Sequence, residues 1–214
     1  MNLVFLGPAG SGKGTQAKKL EADFGVVQIS TGDLLRDAVR MGTELGQQAD
    51  PLMKQGKLVP DDLVVGIIEE RFQRGGLEKG FLLDGFPRTL PQAEALDGML
   101  ERNGLKIDKV LSLEVPEELL YERITGRRSC PKCGTVYHVS NAPPKRMGFC
   151  DVEGEPLVQR SDDSPEKLAN RLEVFRTEIP KVKEHYARMG LLAEIHGVGT
   201  PDGIYTEIRK ALGR

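Results

Sequence analysis

A chain of 214 residues with 39% hydrophobic and 29% charged residues has the balance of a globular protein of one or two domains, which excludes a disordered, collagenous or coiled-coil chain. Thirty Lys and Arg against 32 Asp and Glu leave a net charge of −2, so there is no global basic field to hold nucleic acid. Three cysteines cannot all pair within one chain, which argues against a secreted disulfide scaffold, and no apolar run approaches the roughly 18–20 residues of a membrane span.

Residues 2–6 already read as a strand with no basic and apolar signal before it, so the expected location is the cytoplasm. The strand at Leu3–Leu6 leads into a helix over Lys13–Phe24, and a second strand, Val26–Ile29, into a helix over Thr31–Met41. A helix over Asp61–Gln73 follows Pro60, and its first turn carries Asp61 and Asp62. Strand Phe81–Asp84 precedes helix Pro91–Arg102, and strand Val110–Val115 precedes helix Glu117–Thr125. The long helix Pro165–Met189, strand Leu191–Ile195 and helix Asp202–Leu212 complete the series. Ser30 with Asp33, and Ser164 with Pro165, are cap signals at helix starts. Strands that show little polar alternation, each followed by a helix, predict an α/β fold: five parallel strands flanked by helices.

Two segments interrupt the alternation. Residues 30–59 are helical but contain no apolar strand, and read as a small helical insert. Residues 127–163 hold Pro131, Pro143, Pro144, Pro156 and all three cysteines without helical period, and read as a compact inserted module. The core is then residues 1–29, 60–126 and 164–214.

Residues 7–15, Gly-Pro-Ala-Gly-Ser-Gly-Lys-Gly-Thr, stand between a strand and a helix and match a phosphate-binding loop. Small residues let backbone N–H groups of Gly10, Ser11, Gly12, Gly14 and Thr15 wrap a phosphate at close range, the helix N-terminus adds its positive end, and Lys13 reaches the β- and γ-phosphates. The pattern predicts nucleoside triphosphate binding. Gly14 occupies the position where a magnesium-binding hydroxyl usually follows the lysine, so Asp84, at the end of the Phe81–Asp84 strand, is the candidate carboxylate for a water-mediated Mg²⁺ contact.

The sequence resembles the adenylate kinases of the nucleoside monophosphate kinase family over essentially its whole length. The resemblance rests on residues 7–15, Ser-Thr-Gly-Asp-Leu-Leu-Arg at 30–36, Asp-Gly-Phe-Pro-Arg-Thr at 84–89, Gln92, Gly-Arg-Arg at 126–128, Gln-Arg-Ser-Asp-Asp at 159–163 and Asn-Arg-Leu at 170–172. It implies the reaction ATP + AMP ⇌ 2 ADP with Mg²⁺, on a phosphate-loop core with a mobile AMP-binding insert at 30–59 and a mobile lid at 127–163. It also implies that Arg36 and Arg88 hold the AMP phosphate, that Arg123 and Arg127 face the ATP phosphates, and that Arg160 and Arg171 bridge the transferred group. Thr31, the backbone of Lys57, Leu58 and Val59, the turn Gly85-Phe86-Pro87-Arg88 and Gln92 would surround AMP. On the ATP side stand Val136, Tyr137 and the backbone near Gly199, where the run Gly-Val-Gly-Thr-Pro aligns in more than one way. The acceptor phosphate is largely a dianion at neutral pH and needs no general base; arginines and Lys13 answer the electrostatic difficulty of joining two phosphate chains.

Cys130-Pro-Lys-Cys133 and Cys150-Asp-Val-Glu153 repeat one spacing, with a carboxylate in the last place. Thiolates and carboxylates hold zinc tetrahedrally, and some family members carry such a structural zinc in the lid, most often with four Cys or three Cys and Asp. Glu153, Asp151 and His138 compete for the fourth position. A kinase for another acceptor, uridylate–cytidylate or guanylate, is the nearest alternative function; a GTPase switch lacks the Asn-Lys-x-Asp run that reads guanine. The expected state is a monomer that binds ATP, AMP and ADP, with no nucleic acid or membrane partner.

Overall fold

The computed structural model describes all 214 residues. In chain order the elements are β1 (Leu3–Leu6), α1 (Lys13–Phe24), β2 (Val27–Ser30), α2 (Thr31–Met41), α3 (Glu44–Lys54), α4 (Asp61–Gln73), β3 (Phe81–Asp84) and α5 (Leu90–Arg102). They continue through β4 (Lys109–Glu114), α6 (Glu117–Thr125), β5 (Arg127–Ser129), β6 (Val136–His138), α7 (Pro165–Arg188), β7 (Leu192–His196) and α8 (Pro201–Ala211). Five strands form one parallel sheet in the order β2-β3-β1-β4-β7, while β5 and β6 form a separate antiparallel pair.

The central strands are buried on both faces, which explains their unbroken apolar runs. Val4 and Leu6 face a core shared with α4, α5 and α7, whereas Leu3 and Phe5 face a second core closed by Ala17 and Leu20 of α1 and Ile204 and Ile208 of α8. The connection leaving β1 crosses to the β2 side and the connection leaving β3 crosses to the β4 side, which opens a crevice at the carboxyl ends of these strands. The register aligns Asp84 with Phe5 on one side and Ser30 on the other, so the carboxylate ends the sheet beside the turn that begins at Gly7.

The segment 30–59 holds two helices, of which sequence periodicity separates only the first. Leu35, Ala49 and Val59 join the main core, so the insert is packed on the sheet domain and has no core of its own. Thr43 starts α3 by accepting from the Gly46 N–H at 3.1 Å. At Gly46 an added Cβ would lie 2.2 Å from the Ala38 carbonyl oxygen, so α2 and α3 approach too closely for any side chain there.

The segment 127–163 differs. Its two three-residue strands are extended by single bridges Ser129–Val158, His138–Ala142 and Phe149–Pro156, and its own small core is Cys130, Tyr137 and Cys150 with Leu157. Strands this short give no alternation that sequence could reveal.

Gly46→Ala is expected to separate α2 from α3 and to cost about 1–3 kcal/mol of stability, read as a lower denaturant midpoint; an unchanged midpoint would show that the two helices are free to move apart.

Candidate active site

Gly12 caps α1 at φ 97°, a left-handed conformation that favours glycine, and no side chain fills the cap. The first N–H groups of α1 therefore stay free for an anion. Nothing lies within 4 Å of where a Cβ on Gly12 or Gly14 would stand, so the space in front of the turn is open. Lys13 arches back over the loop, its Nζ donating to the Gly7 and Pro8 carbonyls at 2.8 and 2.9 Å.

This loop forms the middle of a cleft of about 860 Å³, within the usual size range of ligand sites. Gly10 to Thr15, Lys13 included, line its centre together with Asp84. Thr31, Arg36, Lys57, Leu58, Val59, Gly85, Pro87, Arg88 and Gln92 line one arm, and Arg123, Val136, Tyr137 and Gly199 the other. Arg127, Arg160 and Arg171 also reach the cleft. The Phe86 ring does not: it is buried in the main core beneath the turn. Tyr137 borders the cleft but is itself buried, its hydroxyl accepting from the Asp151 N–H at 2.8 Å.

Local hydrogen bonds fix the turn after β3. Thr31 Oγ1 donates to the Gly85 carbonyl at 2.9 Å, and Arg88 Nε donates to the same carbonyl at 2.8 Å. Arg123 ties the phosphate loop to the chain before α8, donating to Gly10 and Gly197 carbonyls at 3.3–3.4 Å. Gln16, buried behind the loop, adds a second tie by donating from Nε2 to the Pro201 carbonyl at 3.0 Å.

Buried positive charge marks the electrostatics of the cleft. Burial pushes the Lys13 ammonium down to about 8, with Asp84 opposing and Arg88, Arg171 and Arg127 adding repulsion. Burial likewise pushes Arg88 and Arg160 down to about 10, with the neighbouring guanidiniums contributing, and both stay charged at neutral pH.

Carboxylates that sequence reasoning did not pair with the arginines hold these cations in place. Asp163, fully buried, takes Arg127 in a two-pronged pair, with Nε to Oδ2 at 2.8 Å. Asp162 pairs with Arg171 at 2.8 Å, and Asp33 pairs with Arg36 at 2.5 Å and lies 3.9 Å from Arg160. Burial raises Asp33 and Asp162, but the surrounding arginines overcome it and hold both below the usual carboxylate range. Each of these aspartates stands within a quoted motif, and Asp33 is three residues from Arg36, but Asp162 and Asp163 meet arginines 9 and 36 residues away.

A family model for adenylate kinase matches residues 5–191. A protein named adenylate kinase from Anaeromyxobacter dehalogenans is 51% identical over 214 residues, covering all of both chains. One from Archaeoglobus fulgidus is 50% identical over 212 residues, 99% of this chain and 98% of its own. The chain belongs to the adenylate kinase family. The segment 127–163 also gathers the sulfurs of Cys130, Cys133 and Cys150 within 4.8 Å of one another. The Cys133–Cys150 separation is 3.6 Å, against the roughly 3.8 Å between thiolates bound tetrahedrally at 2.3 Å from zinc. Burial raises the Cys150 thiol, but the Glu153 N–H, the Tyr137 hydroxyl and further donors outweigh it and bring it down to about 7. Burial holds the Cys130 thiol above its usual range, so it is the spacing of the three sulfurs that fits a metal such as zinc.

The fourth position is not formed. The Glu153 carboxylate pairs with Lys132 Nζ at 2.5 Å instead of joining the thiols. Asp151 is engaged by the Lys145 N–H at 2.9 Å. His138 spends both ring nitrogens elsewhere, Nδ1 accepting from the Asn141 N–H at 3.0 Å and Nε2 lying 3.2 Å from the Glu122 carbonyl.

Lys13 is charged below a pH of about 8 and loses its proton above it, so kcat/KM for ATP is expected to bend downward above that pH. A profile flat to pH 10 would show that burial does not lower Lys13 in this way.

Proposed function

We propose that this adenylate kinase transfers the terminal phosphoryl group of ATP to AMP through the cleft described above, with the phosphate loop and Lys13 holding the donor and the arm from Thr31 to Gln92 holding the acceptor. The observation that carries this reading is the convergence of Lys13 and six arginines, from residues 36 to 171, on one cleft of nucleotide size. Arg36 and Arg88 bind the AMP phosphate, Arg123 and Arg127 the ATP phosphates, and Arg160 and Arg171 the group in transit. The work is positioning and charge neutralisation, since the acceptor dianion attacks without a base. Asp162, Asp163 and Asp33 hold the guanidiniums aimed in advance, which lowers the cost of orienting them around phosphate.

Asp84, ending β3 beside the loop, would hold Mg²⁺ through water, and the ion would neutralise phosphate charge. The segments 30–59 and 127–163 are proposed to close over the nucleotides and exclude water. They already approach each other across the cleft, with Arg160 of one near Asp33 of the other. The chain acts as a monomer. Nucleic acid is not a partner: the two lid aromatics that could stack a base are engaged, Tyr137 by burial and Phe149 beneath the Arg146 guanidinium at 3.9 Å.

The lid is proposed to hold a structural zinc through Cys130, Cys133, Cys150 and Glu153. The two knuckles share one hydrogen-bond pattern. The Cys130 N–H donates to the Thr135 carbonyl and the Gly134 N–H to Cys130, as the Cys150 N–H donates to Glu155 and the Gly154 N–H to Cys150. Glu153 therefore stands where Cys133 stands in the first knuckle, and a rotation away from Lys132 brings its carboxylate to the open corner.

A coupled assay is expected to show ADP formation from ATP plus AMP, with slower turnover of UMP, CMP or GMP; preference for one of those would make the chain a kinase of that acceptor. Arg88→Ala is expected to lower kcat by about 10²–10³-fold with the fold intact, and near-normal turnover would take Arg88 out of the site. Elemental analysis is expected to find one zinc per chain, lost together with thermal stability in Cys130→Ser; a metal-free protein of equal stability would refute the zinc site.

A further inference from the structure

Asp61, in the first turn of α4, does not reach the cleft, yet its carboxylate holds two residues of the acceptor arm. Oδ1 accepts from Gln92 Nε2 at 2.7 Å and Oδ2 accepts from Thr89 Oγ1 at 2.8 Å. On the other side of the same amide, Gln92 Oε1 accepts from the Arg88 backbone N–H at 2.8 Å. Gln92 is 1% exposed and borders the cleft.

A carboxylate can only accept and a backbone N–H can only donate. Together they fix which end of the Gln92 amide is oxygen and which is nitrogen. Turning the amide by 180° would set oxygen against the Asp61 carboxylate and N–H against the Arg88 N–H. One Nε2–H and one Oε1 lone pair are used by these partners, and the other of each remains for a base edge. In this orientation the free pair matches a 6-aminopurine, which offers an N–H at C6 and an acceptor at N1. A 6-oxopurine offers the reverse and would need the amide turned.

We propose that Asp61 is a specificity-determining residue for the acceptor: by locking the Gln92 amide it selects 6-aminopurine over 6-oxopurine nucleoside monophosphates. This rests on the reading above that Gln92 faces the acceptor base. Asp61 is a positioning residue, and Thr89, the N-cap of α5, steadies its second oxygen.

The test compares AMP with IMP, by the KM for AMP and the competitive inhibition constant of IMP. Both are measured on one preparation, so their ratio does not depend on how much enzyme is folded. In Asp61→Asn, whose amide can turn a donor toward Gln92, only the Arg88 N–H still orients the Gln92 amide, and the AMP preference is expected to fall about tenfold. The KM for ATP should not move. Asp61→Glu, which keeps the acceptor, should restore part of the preference. A preference unchanged in Asp61→Asn, or AMP and IMP weakening in parallel, would overturn the lock and leave Asp61 a structural contact. Gln92→Met should lose the preference as well; if it keeps it, Gln92 does not read the base, and the proposal fails for that separate reason.

Discussion

The structure is organised around the repulsion of like charges in one crevice. Lys13, Arg88, Arg160 and Arg171 are buried deeply enough, and lie close enough together, that each carries a depressed affinity for its proton. Such a cluster is stable only with compensation, and the chain provides it locally through Asp33, Asp84, Asp162 and Asp163. Polyphosphate offers the same compensation with more negative charge. The aspartates keep the guanidiniums aimed, and phosphate would exchange for solvent on their open side.

That exchange gives each part of the fold a task. The parallel sheet brings the loop after β1 and the turn after β3 side by side, because the register sets Phe5 opposite Asp84. Backbone and polar ties then space the subsites: Arg123 and Gln16 join the phosphate loop to the start of α8. Asp61 braces Thr89 and Gln92 beside the turn after β3, and none of these ties needs a bound nucleotide. The two inserted segments solve different packing problems. Residues 30–59 lean on the main core through Leu35, Ala49 and Val59. Residues 127–163 have no such support, and their centre is made of sulfur and one tyrosine. A metal there would supply the cohesion that apolar area does not.

Sequence reading was sharpest where chemistry is written in consecutive residues. Residues 7–15 specified the phosphate loop because close wrapping of an anion needs small residues, a helix start and a lysine at fixed spacing. The α/β alternation specified the layered sheet because buried parallel strands cannot alternate polar and apolar residues. The pattern failed at α3, which the helical segment 30–59 contains but does not delimit, and at the strands β5 and β6, which are three residues each. Phe86 illustrates a subtler limit. Its neighbours Gly85, Pro87 and Arg88 line the cleft while its ring is core, and one tight turn can send adjacent side chains to opposite sides.

By itself, the sequence determined which residue types stand together: a glycine-rich loop between a strand and a helix, arginines within short motifs, and paired thiol knuckles. Those are properties of residue type and local spacing. Only the tertiary structure decided which acid faces which base: Asp163 with Arg127, Asp162 with Arg171, Asp61 with Gln92, and Glu153 with Lys132 in place of the thiols. These pairings follow from distances set by the packing of whole helices and strands. Coulombic and hydrogen-bond energies depend on that separation, and linear order does not encode it.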